Sequence, residues 1–350
     1  MWTENRTFQE DLERLANMEY IPWNALTGKR ILITGATGLI GYTLVSALLY
    51  YGKTRNVDIR VIALVRDLQK GQQKFKGQLA DGCELELLQG SVETLPEVEG
   101  PVDYIIHGAS PTASAYFVEK PVETIMTAVL GTRNVLELAK EKEVAGFVYL
   151  SSMEVYGDIA SGETRKETDL GYIDLFSLRS SYSESKRMAE SLCYAYAGEY
   201  AVPATAVRLA QTFGPGVSKE DGRIFAYAAR CAMAGEDICL KTSGAKENMY
   251  LYTADAASAI LLTLTKGERG TAYNAGNPMT YCSVRKLAEI AAQALGSGNT
   301  SVLINTDQTT ALYPPESHLE LNTKRLEEIG WSAVIGLTEM LCRMTAGFEK

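Results

Sequence analysis

Histidine is almost absent from this chain: among 350 residues only His107 and His318 occur. With only two imidazoles, a histidine-based metal site is not expected. The six cysteines, at positions 83, 193, 231, 239, 282 and 342, include no C-x-x-C pair. That spacing argues against zinc and disulfides and leads us to expect free thiols in a reducing cytoplasm. No apolar run approaches the roughly 20 residues that span a bilayer. No Lys/Arg run stands out in a chain of net charge −9, so neither a membrane nor a nucleic-acid partner is expected. The opening stretch, MWTENRTFQEDLERLANMEYIPW, is charged and lacks a signal-peptide core. Phe8, Leu12 and Leu15 share one stripe of a helix near residues 7–18, which reads as a solvated cap followed by a linker.

What the chain does have is regular alternation. With 46% hydrophobic and 22% charged residues it has the composition of a soluble globular enzyme. Strand-like runs fall at 30–34, 59–65, 84–88, 103–107, 147–151 and 204–208, with helical runs at 39–51, 118–142 and 181–200 between them. Strands this apolar, separated by helices, predict a parallel sheet covered on both faces. After Arg208 the pattern loosens. QTFGPGVSKEDG reads as a surface loop. Helical runs return at 222–235, 254–266 and 283–296, in what reads as a smaller lobe at the C-terminal edges of the sheet.

ILITGATGLIG sets Gly35, Gly38 and Gly41 between the first strand and the first helix. A chain that turns sharply off a strand, approaches a pyrophosphate with its backbone and aims a helix N-terminus at it favours residues without a Cβ. This context predicts a dinucleotide site. The expected fold is α/β, a Rossmann-type doubly wound parallel sheet with a smaller C-terminal α/β lobe. Its expected parts are a helical extension (1–28), a dinucleotide-binding domain (29–210) and a substrate lobe (211–350), with some strand exchange between the lobes.

Tyr182 and Lys186 lie four apart on a predicted helix and so share a face. An ammonium beside a phenol favours the phenolate, which then accepts a proton from a substrate hydroxyl. Lys186 is also expected to bind the nicotinamide ribose, and Ser152 at a strand tip to hydrogen-bond the reacting oxygen. If the chain stays extended past Ser152, Ser152 and Glu154 point the same way and Met153 points elsewhere.

The G-x-x-G-x-x-G spacing and Tyr-x-x-x-Lys, with HGASP (107–111), GTRNVLELAK (131–140) and SSMEVYGD (151–158), resemble the extended short-chain dehydrogenase/reductases. These include the nucleotide-sugar epimerases, dehydratases and decarboxylases. ASPTASAYFVEKP followed by GTRNVLELAK looks most like the UDP-glucuronate decarboxylase branch. The resemblance implies a cytoplasmic homodimer holding NAD through Gly35, Thr37, Gly38, Leu39, Ile40, Gly41, Arg66, Asp67, Ser91, Val92, Ala109, Ser110, Leu209, Tyr182 and Lys186. It implies Ser152, Tyr182, Lys186 and Glu154 as catalytic residues. It implies contacts to a nucleotide-sugar from Ser110, Glu154, Gln211, Lys246, Asn248 and Tyr250.

The departures from the family pattern are informative. Arg66 at the end of the second strand leans towards the 2′-phosphate of NADP, while Asp67 leans towards NAD. Ser91 stands where the family usually has an Asp near adenine. Met153 stands at the acidic position of the 4,6-dehydratases, and a thioether donates no proton. Glu154 remains as a base or as an orienting group. Asn248 replaces a phosphate-clamping Arg, with Lys246 two residues earlier, and Gln211 replaces an Asn. The usual late Arg is missing from YPPESHLELNTKRL, which offers His318. The expected activity is epimerisation or decarboxylation through transient oxidation of a sugar carbon. Alternatives are an NADPH-dependent carbonyl reductase, a non-catalytic cofactor sensor and a 4,6-dehydratase.

Overall fold

The computed structural model describes residues 5–158, 164–296, 298–306 and 318–348. Its first half runs α1 (Arg6–Ala16), α2 (Trp23–Leu26), β1 (Lys29–Thr34), α3 (Leu39–Arg55), β2 (Ile59–Val65), α4 (Leu68–Lys74), α5 (Lys76–Ala80) and β3 (Leu85–Gln89). There follow β4 (Tyr104–His107), α6 (Ser114–Glu119), α7 (Pro121–Glu141), β5 (Gly146–Ser152), α8 (Ser180–Glu199), β6 (Ala204–Leu209) and β7 (Gln211–Phe213). The remainder is α9 (Ile224–Ala234), β8 (Ile238–Leu240), β9 (Glu247–Tyr252), α10 (Thr253–Lys266), β10 (Thr271–Ala275), β11 (Asn277–Ser283) and α11 (Val284–Leu295). It ends in β12 (Val302–Ile304), β13 (His318–Leu319), α12 (Lys324–Glu328) and α13 (Leu337–Thr345).

Seven parallel strands form the main sheet in the order β3-β2-β1-β4-β5-β6-β10. The order reverses between β1 and β4, which opens a crevice at their carboxyl ends, the usual ligand position of such sheets. β10 comes from the second half of the chain and completes this sheet beside β6. A second sheet centres on β9, flanked by β7, β11 and β13.

Four local readings change. The predicted helix over 118–142 is two helices, because Pro121 fits a helix's first turn but not its interior, and Lys120 ends α6. The Gln211 stretch is not all loop: Gln211–Phe213 pairs with β9. The chain does not stay extended past Ser152. It winds into a 3-10 turn over Met153–Tyr156, with Ser152 as its cap and the Ser152 hydroxyl accepting from the Glu154 N–H. The strand alternation that set Glu154 beside Ser152 therefore does not operate.

The fourth change is the N-terminal helix, which is more than a solvated cap. Phe8, Leu12 and Leu15 are buried in the same apolar core as Leu44, Val207 and Met340. Asp11 is also buried. It accepts from the Tyr252 hydroxyl at 2.5 Å and from Arg343 at 2.9 Å, while Arg14 reaches the fully buried Asp255 at 3.0 Å. Polar groups this deep are tolerated because they are paired. Among the described residues no helix is long and apolar enough to cross a membrane.

Candidate active site

The glycine turn lies at the switch point of the main sheet. Gly35 has φ +70°, and a Cβ there would stand 2.7 Å from the Gly108 carbonyl carbon. A Cβ on Gly41 would stand 2.2 Å from the Gly35 oxygen. Both positions therefore need glycine, and the β1 and β4 ends meet closely. The Thr34 hydroxyl ties them together, accepting from the Gly108 and Ala109 N–H groups at 3.1 and 3.2 Å. Helix α3 begins after Gly38 with no side-chain cap, so its first N–H groups face the crevice unclaimed by a side chain. Thr37 and Gly38 are exposed, and Leu39 and Ile40 are half-buried. This cradle fits the pyrophosphate of a dinucleotide.

Around the adenosine end the candidates divide. Arg66 and Asp67 are exposed at the end of β2. Asp67 caps α4, accepting from the Lys70 N–H at 3.0 Å, and that bond holds its carboxyl below the ordinary range. Ser91 is engaged by its own loop, where its hydroxyl accepts from the Thr94 N–H. Val92 is buried against Gly131. Ser110 donates to the Pro111 carbonyl.

β5 and α8 bring the candidate catalytic groups together. Ser152 ends β5 and pairs with Leu209 of β6. Tyr182 is stacked on Phe117 of α6, with ring centroids 4.2 Å apart. Lys186 donates to the Leu150 carbonyl at 2.7 Å and lies 4.6 Å over the Tyr149 ring and 5.7 Å from the Tyr182 ring. Burial lowers the Lys186 pKa to about 7, with Glu190 opposing the shift. The expected depression of the Tyr182 pKa is not found: burial, and then the charge of Glu154, push it up. Desolvation outweighs the opposing hydrogen bond of Ser152 and the charge of Arg179.

Glu154 is not a free carboxylate. Arg179 grips both of its oxygens, at 2.9 and 3.0 Å, and the Ser183 hydroxyl donates to it at 3.3 Å. Lys246 also feels the fields of Glu154 and Arg179, and burial lowers its pKa. Sequence reading missed Arg179, although its position three residues before Tyr182, one turn back on the same face, was a usable signal. It also missed Phe117 and the buried ion pair of Glu190 with Arg208.

The remaining candidates meet across the second sheet. Gln211 of β7 pairs with Tyr250 of β9, and Asn248 lies two residues earlier on the same face. Gln211 Oε1, Asn248 Oδ1 and the Tyr250 hydroxyl are all buried without a hydrogen-bond partner. Burial drives the Tyr250 pKa up. Gln211 follows by two residues Leu209, the β6 partner of Ser152. His318 lies elsewhere, against Glu247 at 2.8 Å. The Pro-rich turn before it is outside the described residues.

A glycine turn at the switch point, beside a Ser–Tyr–Lys set on β5 and α8, defines a dinucleotide-dependent enzyme of the short-chain dehydrogenase/reductase class. Comparison with known proteins narrows the class. The model of the NAD dependent epimerase/dehydratase family matches residues 31–276, and the chain belongs to that family. NAD is the family's cofactor. The chain is 29% identical over 344 residues to UDP-glucuronic acid decarboxylase 1 of Xenopus tropicalis, covering 97% of this chain and 78% of that protein. It is 30% identical to UDP-glucuronic acid decarboxylase 5 of Arabidopsis thaliana, over 91% of this chain and 89% of that one. The fold matches UDP-glucuronic acid 4-epimerase from Bacillus cereus, solved with UDP-glucuronic acid and NAD, with a TM-score of 0.74 at 19% identity. That match covers 91% of this chain and 98% of the epimerase.

Proposed function

We propose that this enzyme decarboxylates a nucleotide-linked uronic acid of the UDP-glucuronate type through transient oxidation at C4. The observation that carries the reading is the convergence of Ser152, Tyr182 and Lys186 beside the glycine turn, with Met153 in place of a dehydratase acid. NAD, held at the glycine turn of Gly35, Gly38 and Gly41, would supply reversible hydride transfer at C4. Tyr182 takes the proton of the C4 hydroxyl, Ser152 holds that oxygen and Lys186 stabilises the phenolate. A C4 ketone is β to the C6 carboxylate. The C5–C6 bond then breaks with loss of carbon dioxide, and its electron pair passes into the C4 enolate. Reprotonation at C5 precedes the return of hydride. Glu154, gripped by Arg179, orients the sugar. Lys246 supplies the point charge for a diphosphate, because neutral Asn248 brings none.

The test is incubation with UDP-glucuronic acid, with mass spectrometry of the product. Loss of carbon dioxide is expected. A product of unchanged mass and inverted C4 would replace decarboxylation with epimerisation, and absence of nucleotide-sugar binding would overturn both. The exposed Arg66 supports a second reading, an NADPH-dependent reductase. Under that reading Arg66→Ala weakens NADP far more than NAD in titrations. Equal losses would remove it.

The chain also carries a surface suited to a homodimer. Val122, Ile125, Met126 and Leu130 form an exposed apolar stripe on α7, and Met188 is exposed on the adjacent α8. Sedimentation of the purified protein checks the assembly.

A further inference from the structure

The candidate mechanism relies on a charged Lys186, yet the lysine is 3% exposed and its only direct hydrogen bond shown is to the Leu150 carbonyl. Burial of an ammonium is costly unless an anion faces it. Several titratable groups face it. From β4 comes His107, whose ring nitrogens meet the Thr34 and Thr132 hydroxyls and whose pKa is depressed to about 3, so it is neutral. From β5 comes Tyr149, whose pKa is raised and which is also neutral. On α8 itself are Tyr182 and Cys193, both raised by burial, and Glu190. Among these described groups Glu190 is the one carboxylate, and its field raises the Lys186 pKa against the burial that lowers it.

Glu190 is firmly held. It lies one turn beyond Lys186 on the same face of α8. Arg208 of β6 bonds both of its oxygens, at 2.7 to 3.1 Å, and the Ser151 hydroxyl donates to it. Arg208 in turn is fixed by the Tyr156 hydroxyl at 3.1 Å and the Glu167 carbonyl at 2.7 Å. The carboxylate therefore cannot swing away from its place one turn beyond the lysine.

We propose that Glu190, clamped by Arg208 and Ser151, is a positioning residue that supplies the counter-charge to Lys186 and so sets the alkaline limit of the reaction. This rests on the role given to Lys186 above, so the test includes a readout independent of turnover.

The experiment compares wild type with Glu190→Gln and Glu190→Asp. In the cofactor-free protein, NMR of labelled lysine side chains follows the Lys186 titration, assigned through Lys186→Met. In the loaded enzyme, turnover is profiled against pH. For Glu190→Gln both the Lys186 titration and the alkaline limb are expected to move down by about one pH unit. Turnover then falls about tenfold above the limb and little below it, and Glu190→Asp restores the wild-type positions. An unmoved Lys186 titration in folded Glu190→Gln overturns the proposal, as does a loss equal at every pH. A moved titration with an unmoved limb overturns the claim on the alkaline limit and faults the role of Lys186. Where Glu190→Gln fails to fold, Glu190→Gln/Arg208→Met removes the whole pair, and a downward shift, smaller because a cation leaves with the anion, is required of it.

Discussion

Behind Tyr182 and Lys186 the buried charges are matched, whereas across the cleft on β7 and β9 polar atoms are left over. On the first wall Glu190 meets Arg208 at 2.7 Å with both side chains 4% exposed, both nitrogens of His107 are bonded, and the Tyr149 hydroxyl is the one buried polar atom among these groups that lacks a hydrogen bond. On the second wall Gln211, Asn248 and Tyr250 each keep a buried polar atom without a partner. An unmatched buried polar atom costs stability, and a protein tolerates a cluster of them where a ligand completes the set. The contrast separates a scaffold that holds its groups in place from a surface completed by its substrate.

The largest test of that contrast acts on the chemistry of the matched wall. Tyr182→Phe keeps the ring stacked on Phe117 and removes the proton acceptor. Turnover is expected to fall by about 10²–10⁴-fold, with dinucleotide affinity measured by calorimetry unchanged. Wild-type turnover would end the assignment of Tyr182 as the base.

Next comes the scaffold itself. Arg208→Leu leaves Glu190 buried and unpaired, and is expected to cost about 3–5 kcal/mol in urea unfolding. A change below about 1 kcal/mol, the scale of an exposed ion pair, would mean that the wall is not rigidly matched.

A smaller effect follows from Lys186, whose pKa burial lowers from the ordinary 10.5 to about 7. Between these values the unfolded chain holds a proton that the native protein has released. Stability therefore gains from this group as pH rises through the window, by up to about 1.4 kcal/mol per pH unit. Thermal melts of wild type and Lys186→Met between pH 7 and 9.5 read it: the wild-type curve is the steeper. Parallel curves would place an ordinary lysine there.

The smallest effect sharpens the other wall. Tyr250→Phe deletes a buried hydroxyl that makes no full hydrogen bond and has only the nearby Asn248 side chain as a weak partner before substrate binds. The free protein should be stabilised by about 1 kcal/mol, while substrate binds about five- to tenfold more weakly. Loss of both stability and affinity would mean that the hydroxyl already makes a full hydrogen bond in the free protein.

What the sequence determined by itself was whatever depends on local pattern. Apolar runs separated by helical periods were enough for the parallel sheet, because strands buried on both faces read as continuous hydrophobic stretches. The glycines of the first turn were legible because a tight turn and a close backbone approach both exclude a Cβ. Tyr182 and Lys186 shared a helix face by spacing alone. The tertiary structure decided what depends on residues far apart in the chain. Glu154 and Arg179 are 25 residues apart, and their pairing arises from the 3-10 turn that replaces an extended strand after Ser152. Asp11 and Arg343 are separated by 332 residues, so nothing local marked the first helix as part of the core. The pKa of Tyr182 followed burial rather than its neighbour four residues on, because desolvation is set by everything packed around a group, and a pattern along the chain carries no record of that packing.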